Sequence, residues 1–178
     1  MNDNQLIAGC LNGDRRAQKK LYELYSRKMM GVCMRYVSDR ETARDLLQEG
    51  FIKVYTTMHS YTGKGAFEGW LRMIFVNSAL EYLRKADVLR NSADVGSLNE
   101  QAGEDETAVS KLSAKELMSL IERLPDGFRM VFNLYAVEGY SHKEIGEMLH
   151  ITESTSRSQY VRARQWLQGQ IKSMKQHE

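Results

Sequence analysis

The segment from Gly139 to Gln168, GYSHKEIGEMLHITESTSRSQYVRARQWLQ, constrains the fold of this chain more than any other stretch, because it reads as two helices joined by a very short turn. The first helix carries a full start signal. Ser141 is its N-cap, Glu144 three residues on closes a capping box, and Tyr140 and Ile145 are spaced for a hydrophobic staple. Ile145, Met148 and Leu149 keep the helical period. Gly146 stands where two steeply crossing helices need a small residue. His150 ends the helix at a place that usually takes a left-handed Gly, and His tolerates that region better than most residues. Ile151 plugs the turn, and Thr152 is the expected N-cap of the second helix.

Sorting the second helix at about 100° per residue places Ser156, Tyr160, Ala163 and Leu167 on one narrow packing face. Ser154, Ser158, Val161 and Gln165 point the opposite way, flanked by Arg157 and Arg162. Arginine can bond bidentately to guanine, and short hydroxyl side chains bond to several base acceptors, so this outward face suits the major groove of DNA. No acid occurs between Ser154 and His177, whereas Arg157, Arg162, Arg164, Lys172 and Lys175 do. The plainer alternative is a solvated basic end on the last helix of an ordinary bundle. Ser156 is out of character, since its packing position would better suit Val or Ile.

Pro125 is the only proline in 178 residues and alternating runs are scarce, so the expected class is all-α. The net charge of +2 conceals a pattern: residues 1–85 carry a net +5, residues 86–115 a net −3, and the remainder is balanced. Such segregation points to separate parts. Cys10 and Cys33 have no CxxC pairing and read as reduced thiols, with a single disulfide as the lesser alternative. No basic-then-apolar leader and no run of 18 apolar residues is present, so the expectation is a cytoplasmic protein with no membrane insertion.

The helical period predicts a first helix over about Asp3–Leu11. A second is capped by Asp14 and runs through Tyr36, and a third covers Glu41–His59 with Ala43, Leu46, Leu47, Phe51, Val54 and Tyr55 as its buried stripe. A Gly-bearing break at Tyr61–Gly65 precedes a fourth helix carrying Phe67, Trp70, Leu71, Ile74, Phe75 and Leu83. Over residues 88–110 the period fails, and NSADVGSLNEQAGEDET reads as an acidic flexible linker. It resumes at Leu112, a turn is expected at Pro125–Gly127, and the next helix carries Phe128, Val131, Phe132 and Leu134. The expected architecture is therefore two small helical domains, residues 1–87 and 111–178, joined by a linker at 88–110, with a helix-turn-helix in the second.

No constellation for catalysis emerges. Glu147-x-x-His150 is only half of a two-metal carboxylate site. His142-x-Glu144 lacks the downstream Cys pair of the zinc deaminases, and Gly63-Lys64 lacks the rest of a phosphate loop. No catalytic residue, metal, cofactor or small-molecule substrate is expected. Asp45, Gln48 and Glu49 share a helix face, which is either solvated or a surface for docking a protein.

Three motifs in fixed order carry a family resemblance: DLLQEGFIKVY from Asp45, FEGWLRMIFVNSALEYLRK from Phe67, and LPDGFRMVFNLYAVEGYSHKEIGEMLHITESTSRSQYVRARQWL from Leu124. Together they resemble bacterial RNA polymerase sigma factors of the small, two-domain extracytoplasmic-function (ECF) group. The resemblance implies that Asp45, Gln48 and Glu49 dock on core RNA polymerase. It further implies that Tyr61, Lys64, Phe67, Trp70 and Asn77 bind and open the promoter −10 element, although Phe67 and Trp70 read equally well as core residues of the fourth helix. Ser154, Thr155, Arg157, Ser158, Val161, Arg162 and Gln165 would contact the −35 element. Implied partners are core RNA polymerase, promoter DNA and an anti-sigma factor. The chain departs from the family pattern at Glu81, where Asp is frequent, at His150, where Gly is frequent, and at Ser156, where an apolar residue is frequent.

Two readings compete with this one. A self-sufficient helix-turn-helix regulator would dimerise on a palindromic operator. It would need a ligand pocket or dimer face in place of a basic domain with a docking strip. An enzyme with a DNA-binding tail would need the missing catalytic groups.

Overall fold

The computed structural model describes residues 2–85 and 113–175, and every regular element among them is helical. They form α1 (Asp3–Leu11), α2 (Arg15–Tyr36), α3 (Arg40–Thr57) with a 3₁₀ turn at Met58–Ser60, and α4 (Phe67–Lys85). After them come α5 (Ala114–Glu122), α6 (Asp126–Phe132) running into a π segment at Asn133–Val137, α7 (His142–Leu149) and α8 (Glu153–Lys175). The chain divides into two compact units between Tyr82 and Leu83. Residues 88–110, read from sequence as a linker, lie outside the described residues.

In the first unit each early helix starts where a side chain can satisfy its free N–H groups. Asn2 and Gln5 form a capping box on α1, Asp14 accepts from the amide of Arg16, and Asp39 accepts from both the amide and the hydroxyl of Thr42 at 2.7 Å. The apolar stripe of α2, Ala17, Leu21, Tyr25, Met29, Val32, Cys33 and Tyr36, is buried against α1 and α3. From α3 come Ala43, Leu46, Leu47, Phe51 and Val54, as the period predicted, while Tyr55 is half-buried and donates its hydroxyl to the Gln18 carbonyl at 3.0 Å. Gly50 joins this stripe because an added Cβ there would lie 2.2 Å from the Phe75 ring of α4. Phe51 and Phe75 meet edge to face at 5.2 Å. Val76, Ala79 and Leu80, which periodicity had not singled out, complete the buried side of α4, and Ile74 is only half-buried. Cys10 and Cys33 are buried free thiols, and burial pushes the Cys33 pKa up to about 12.

In the second unit, Leu120, Ile121 and Leu124 pack with Phe128 of α6 and with Ala163, Leu167 and Ile171 of α8. The turn expected at Pro125–Gly127 is shorter than predicted, since α6 already begins at Asp126 and Gly127 is helical. The cause is Arg129, 2 % exposed, which pairs with Asp126 and donates to the Glu122 carbonyl at 2.7 Å. One guanidinium thereby closes the end of α5 and steadies the first turn of α6. Beyond Phe132 the helix widens, with the Glu138 amide bonded to the Asn133 carbonyl at 2.9 Å, so Leu134 sits in a π segment rather than in an α-helix.

Candidate nucleic-acid and docking interfaces

The helix-turn-helix is built as its caps dictate. Glu144 accepts from the amide of Ser141 at 2.8 Å and from its hydroxyl at 2.7 Å, and the amide bond followed by the hydroxyl bond holds its carboxyl below the usual range. His150 is left-handed, at φ 55° and ψ 42°, so an imidazole fills the place expected of glycine. A Cβ on Gly146 would stand 2.8 Å from the Ile151 carbonyl oxygen, which is why the helix preceding this turn carries a glycine. Thr152 accepts from the Thr155 amide at 3.0 Å and starts α8.

The two faces of α8 separate as the 100° sorting predicted. Ser156 and Ala163 are fully buried and Leu167 nearly so, while Tyr160 is half-buried between Tyr135 and Phe132. Ser154, Arg157, Ser158, Val161 and Arg162 are exposed, and Gln165 is half-buried beside them. Val161, 51 % exposed, puts an apolar group in the middle of this polar face. Three candidates have prior engagements. Arg157 pairs with Glu153 one turn back, the Thr155 hydroxyl bonds with that of Thr152 at 2.8 Å, and the Ser158 hydroxyl donates to the Thr155 carbonyl at 3.0 Å. The first pair is exposed on both sides and therefore contributes little, so Arg157 can swing to a phosphate or base at small cost. Thr155 serves the helix start first.

Ser156, out of character in the sequence, has an explanation that periodicity could not supply. Its hydroxyl lies 2.9 Å from Nδ1 of His142, whose ring stacks flat on Tyr135 with centroids 4.3 Å apart. In the sequence, His142 carries no signal beyond an incomplete metal-type spacing with Glu144. Its partner is fourteen residues away, beyond any local pattern.

On the first unit, Asp45, Gln48 and Glu49 are all exposed on the outward side of α3, with Leu46, Leu47 and Gly50 buried behind them. Glu49 reaches Lys53 at 3.5 Å, and Lys53 reaches Glu81 of α4 at 3.0 Å. Burial disfavours the Lys53 charge, but these two carboxylates more than offset it and the pKa is raised.

Between the 3₁₀ turn and α4, Gly63 (φ 75°) and Gly65 (φ 83°) both adopt left-handed backbone, and the Tyr61 hydroxyl donates to the Gly65 carbonyl at 2.9 Å. Tyr61, Phe67 and Trp70 form one aromatic group with centroids 5.2–5.7 Å apart. Phe67, expected as a DNA contact, is 3 % exposed and a core residue. It supports the loop from beneath and has no free face for a base. Tyr61 and Trp70 are half-buried, whereas Lys64 and Asn77 are exposed.

With this geometry in view, the family comparisons are specific. The sequence matches the family described as Sigma-70 region 2 over residues 21–88, and Sigma-70, region 4 over residues 114–167. The chain is 30% identical to the ECF RNA polymerase sigma-E factor of Haemophilus influenzae, over 98% of this chain and 97% of that protein. It is also 30% identical to the RNA polymerase sigma-H factor of Pseudomonas aeruginosa, over 92% and 90%. Two solved structures share the fold. CnrH in complex with the cytosolic domain of CnrY has a TM-score of 0.52 at 18% identity, covering 96% of this chain and 97% of that one. The sigma factor RpoE in complex with the anti-sigma factor NepR, from Bartonella quintana, has a TM-score of 0.52 at 20% identity, covering 86% and 96%.

Proposed function

Because the chain belongs to the sigma-70 family of RNA polymerase sigma factors, in its ECF group, we propose that it binds core RNA polymerase and directs it to promoters, where α8 reads the −35 element and the Tyr61–Phe67 loop with α4 opens the −10 element. One observation carries this reading. Regions 2 and 4 occur in this order in a single chain, and the second ends in a helix-turn-helix whose basic, hydroxyl-rich face is exposed. The α3 strip of Asp45, Gln48 and Glu49 is the proposed docking face for core enzyme. No active site is assigned to the chain, since nucleotidyl transfer belongs to polymerase. No helix among the described residues is long and apolar enough to cross a membrane. The proposed place of work is beside polymerase, in the cytoplasm. The two solved neighbours bear partners named as CnrY and the anti-sigma factor NepR, and a protein of that regulatory class is the proposed third partner. Mixing the pure chain with core polymerase tests the reading. Promoter-specific transcripts support it, and their absence with every promoter offered overturns it.

Arg157→Ala and Arg162→Ala distinguish base reading from phosphate contact. Loss of a base-reading arginine is expected to cost about 1–3 kcal/mol and to relax preference at one base pair. Loss of a phosphate contact weakens all sequences alike and lowers the salt slope by about one. Unaltered −35-dependent transcription in both variants would mean that α8 is misassigned.

Opening the −10 element requires replacing base stacking worth a few kcal/mol, and the exposed Lys64 and Asn77 are the polar groups placed to assist. Permanganate footprinting of holoenzyme is expected to show weaker −10 reactivity for Lys64→Ala and for Asn77→Ala. Parental reactivity in both variants excludes this loop as the opening element.

A further inference from the structure

A hydroxyl with no access to water needs a partner, and a packing position between two helices ordinarily avoids the need by being apolar. Ser156 is 0 % exposed on the packing side of α8, two turns before Ala163 on the same side. Its partner, Nδ1 of His142 at 2.9 Å, belongs to the first residue of α7. The ring is held from the other side by Tyr135 at 4.3 Å and 8°, and Tyr160 of α8 leans on it at 5.7 Å. This polar, aromatic joint therefore links the π segment and both helices of the helix-turn-helix. It sits immediately before Arg157, and so beside the outward face that is to meet DNA.

We propose that the His142–Ser156 hydrogen bond positions α8 for −35 reading, and that protonation of His142 loosens this joint, so that −35-dependent function falls on acidification. The inference rests on α8 being the −35 reader. This joint requires the Nε2–H tautomer of the neutral ring, in which the Nδ1 lone pair accepts from the Ser156 hydroxyl. Protonation turns Nδ1 into a donor, and the hydroxyl must give up that bond and accept instead. The same proton adds a positive charge at the N-terminal end of α7, where the free amides already repel one. The charged groups around His142 come from both helices. Lys143 and Glu144 on α7 and Glu153 and Arg157 on α8 line one open groove with it, together with Tyr135, Gly139, Tyr140 and Ser141. Glu144 is committed to Ser141, and Glu153 to Arg157. Burial, and then Arg157, hold the imidazole below its ordinary value of 6.5, with Glu153 opposing them. A histidine whose folded pKa is depressed is neutral above its unfolded value. The joint is therefore intact above about pH 6.5 and weakens as the pH falls through the lower folded value.

The test uses holoenzyme and the ratio of open complexes formed on a promoter with an intact −35 element to those on one with that element scrambled, from pH 8 to 5.5. Taking the ratio cancels the pH response of polymerase itself. The parent ratio is expected to hold from pH 8 to about 6.5 and to fall below that, toward the ratio of Ser156→Ala. His142→Asn, which returns an amide to the Nδ1 position but does not titrate, is expected to hold the parental ratio at pH 7.5 and to lose the pH dependence. Ser156→Ala and His142→Ala are each expected to lower the ratio about fivefold, the net weight of one hydrogen bond. Their combination should cost no more than either alone. Additive losses, or a His142→Asn profile that still falls with acid, overturn the proposal and leave the −35 assignment standing. A parent with no −35 dependence at any pH overturns both.

Discussion

Charge reversal at Asp45 and Glu49, both to Lys, is expected to weaken binding to core RNA polymerase by about two orders of magnitude while the protein stays folded. Setting like charges against each other across an interface costs several kcal/mol, and each 1.4 kcal/mol is a factor of ten in affinity. The fold should tolerate the change because both side chains are exposed and the core-facing residues of α3 lie on its other side. Glu49 does pair with Lys53, but an exposed pair of this kind adds little, and Lys53 keeps its 3.0 Å bond to Glu81. Binding is measured by titrating labelled protein with core enzyme, and thermal unfolding supplies the control. A folded double variant that binds core as the parent does would remove α3 as the docking element. Ile52 lies one turn beyond Glu49 on the outward side and is 62 % exposed, so the same titration with Ile52→Asp reports whether an apolar contact extends the strip.

Gly50→Ala is expected to destabilise the first unit by about 3 kcal/mol, lowering its melting temperature by on the order of 10–20 °C. In an open helix the same substitution is stabilising, by about 0.5–1 kcal/mol, because Ala loses less entropy than Gly. The sign is therefore diagnostic. At Gly50 the new methyl would stand 2.2, 2.4 and 2.9 Å from three carbons of the Phe75 ring, and Phe75 is fully buried and wedged against Phe51. No small rotation clears all three. Gly31, on α2, has nothing within 4 Å of its Cβ position, and Gly31→Ala should raise the melting temperature slightly. Pairing Gly50→Ala with Phe75→Leu should recover part of the loss by returning volume. If Gly50→Ala melts at or above the parent, α3 and α4 are not in the contact described. Gly50 sits between Glu49 and Phe51, so this contact also fixes which way the proposed docking strip faces.

Much of this architecture was legible because it depends on neighbours in sequence. Caps at Asp14, Ser141 and Thr152 each act within three residues, and all three helix starts were predicted from them. The left-handed His150 follows from its position at a helix end before a second N-cap. The buried and exposed faces of α8 follow from a fixed rotation per residue. Where the expectation was of a turn at Pro125–Gly127, the helix won, because Arg129 reaches back to Glu122 and Asp126.

The candidate site divides along the same line. Exposure of Arg157, Ser158, Val161 and Arg162, and of Asp45, Gln48 and Glu49, was set by helical period alone. At Phe67 the sequence left two readings open, a place on the apolar stripe of α4 and a −10 contact, and its 3 % exposure puts it in the core. The rings of Tyr61 and Trp70 close over it through a loop turned by two left-handed glycines. The sequence by itself determined the helical class, the helix starts, the exposed faces and, through three ordered motifs, the family. Only the tertiary structure decided that Gly50 makes room for Phe75, that Lys53 bridges α3 to Glu81, and that Ser156 is answered by His142. The physical reason is one of range. Caps and periodicity act over a turn or two of one helix, whereas these three contacts join residues 14 to 28 positions apart, which meet only after separate helices have packed.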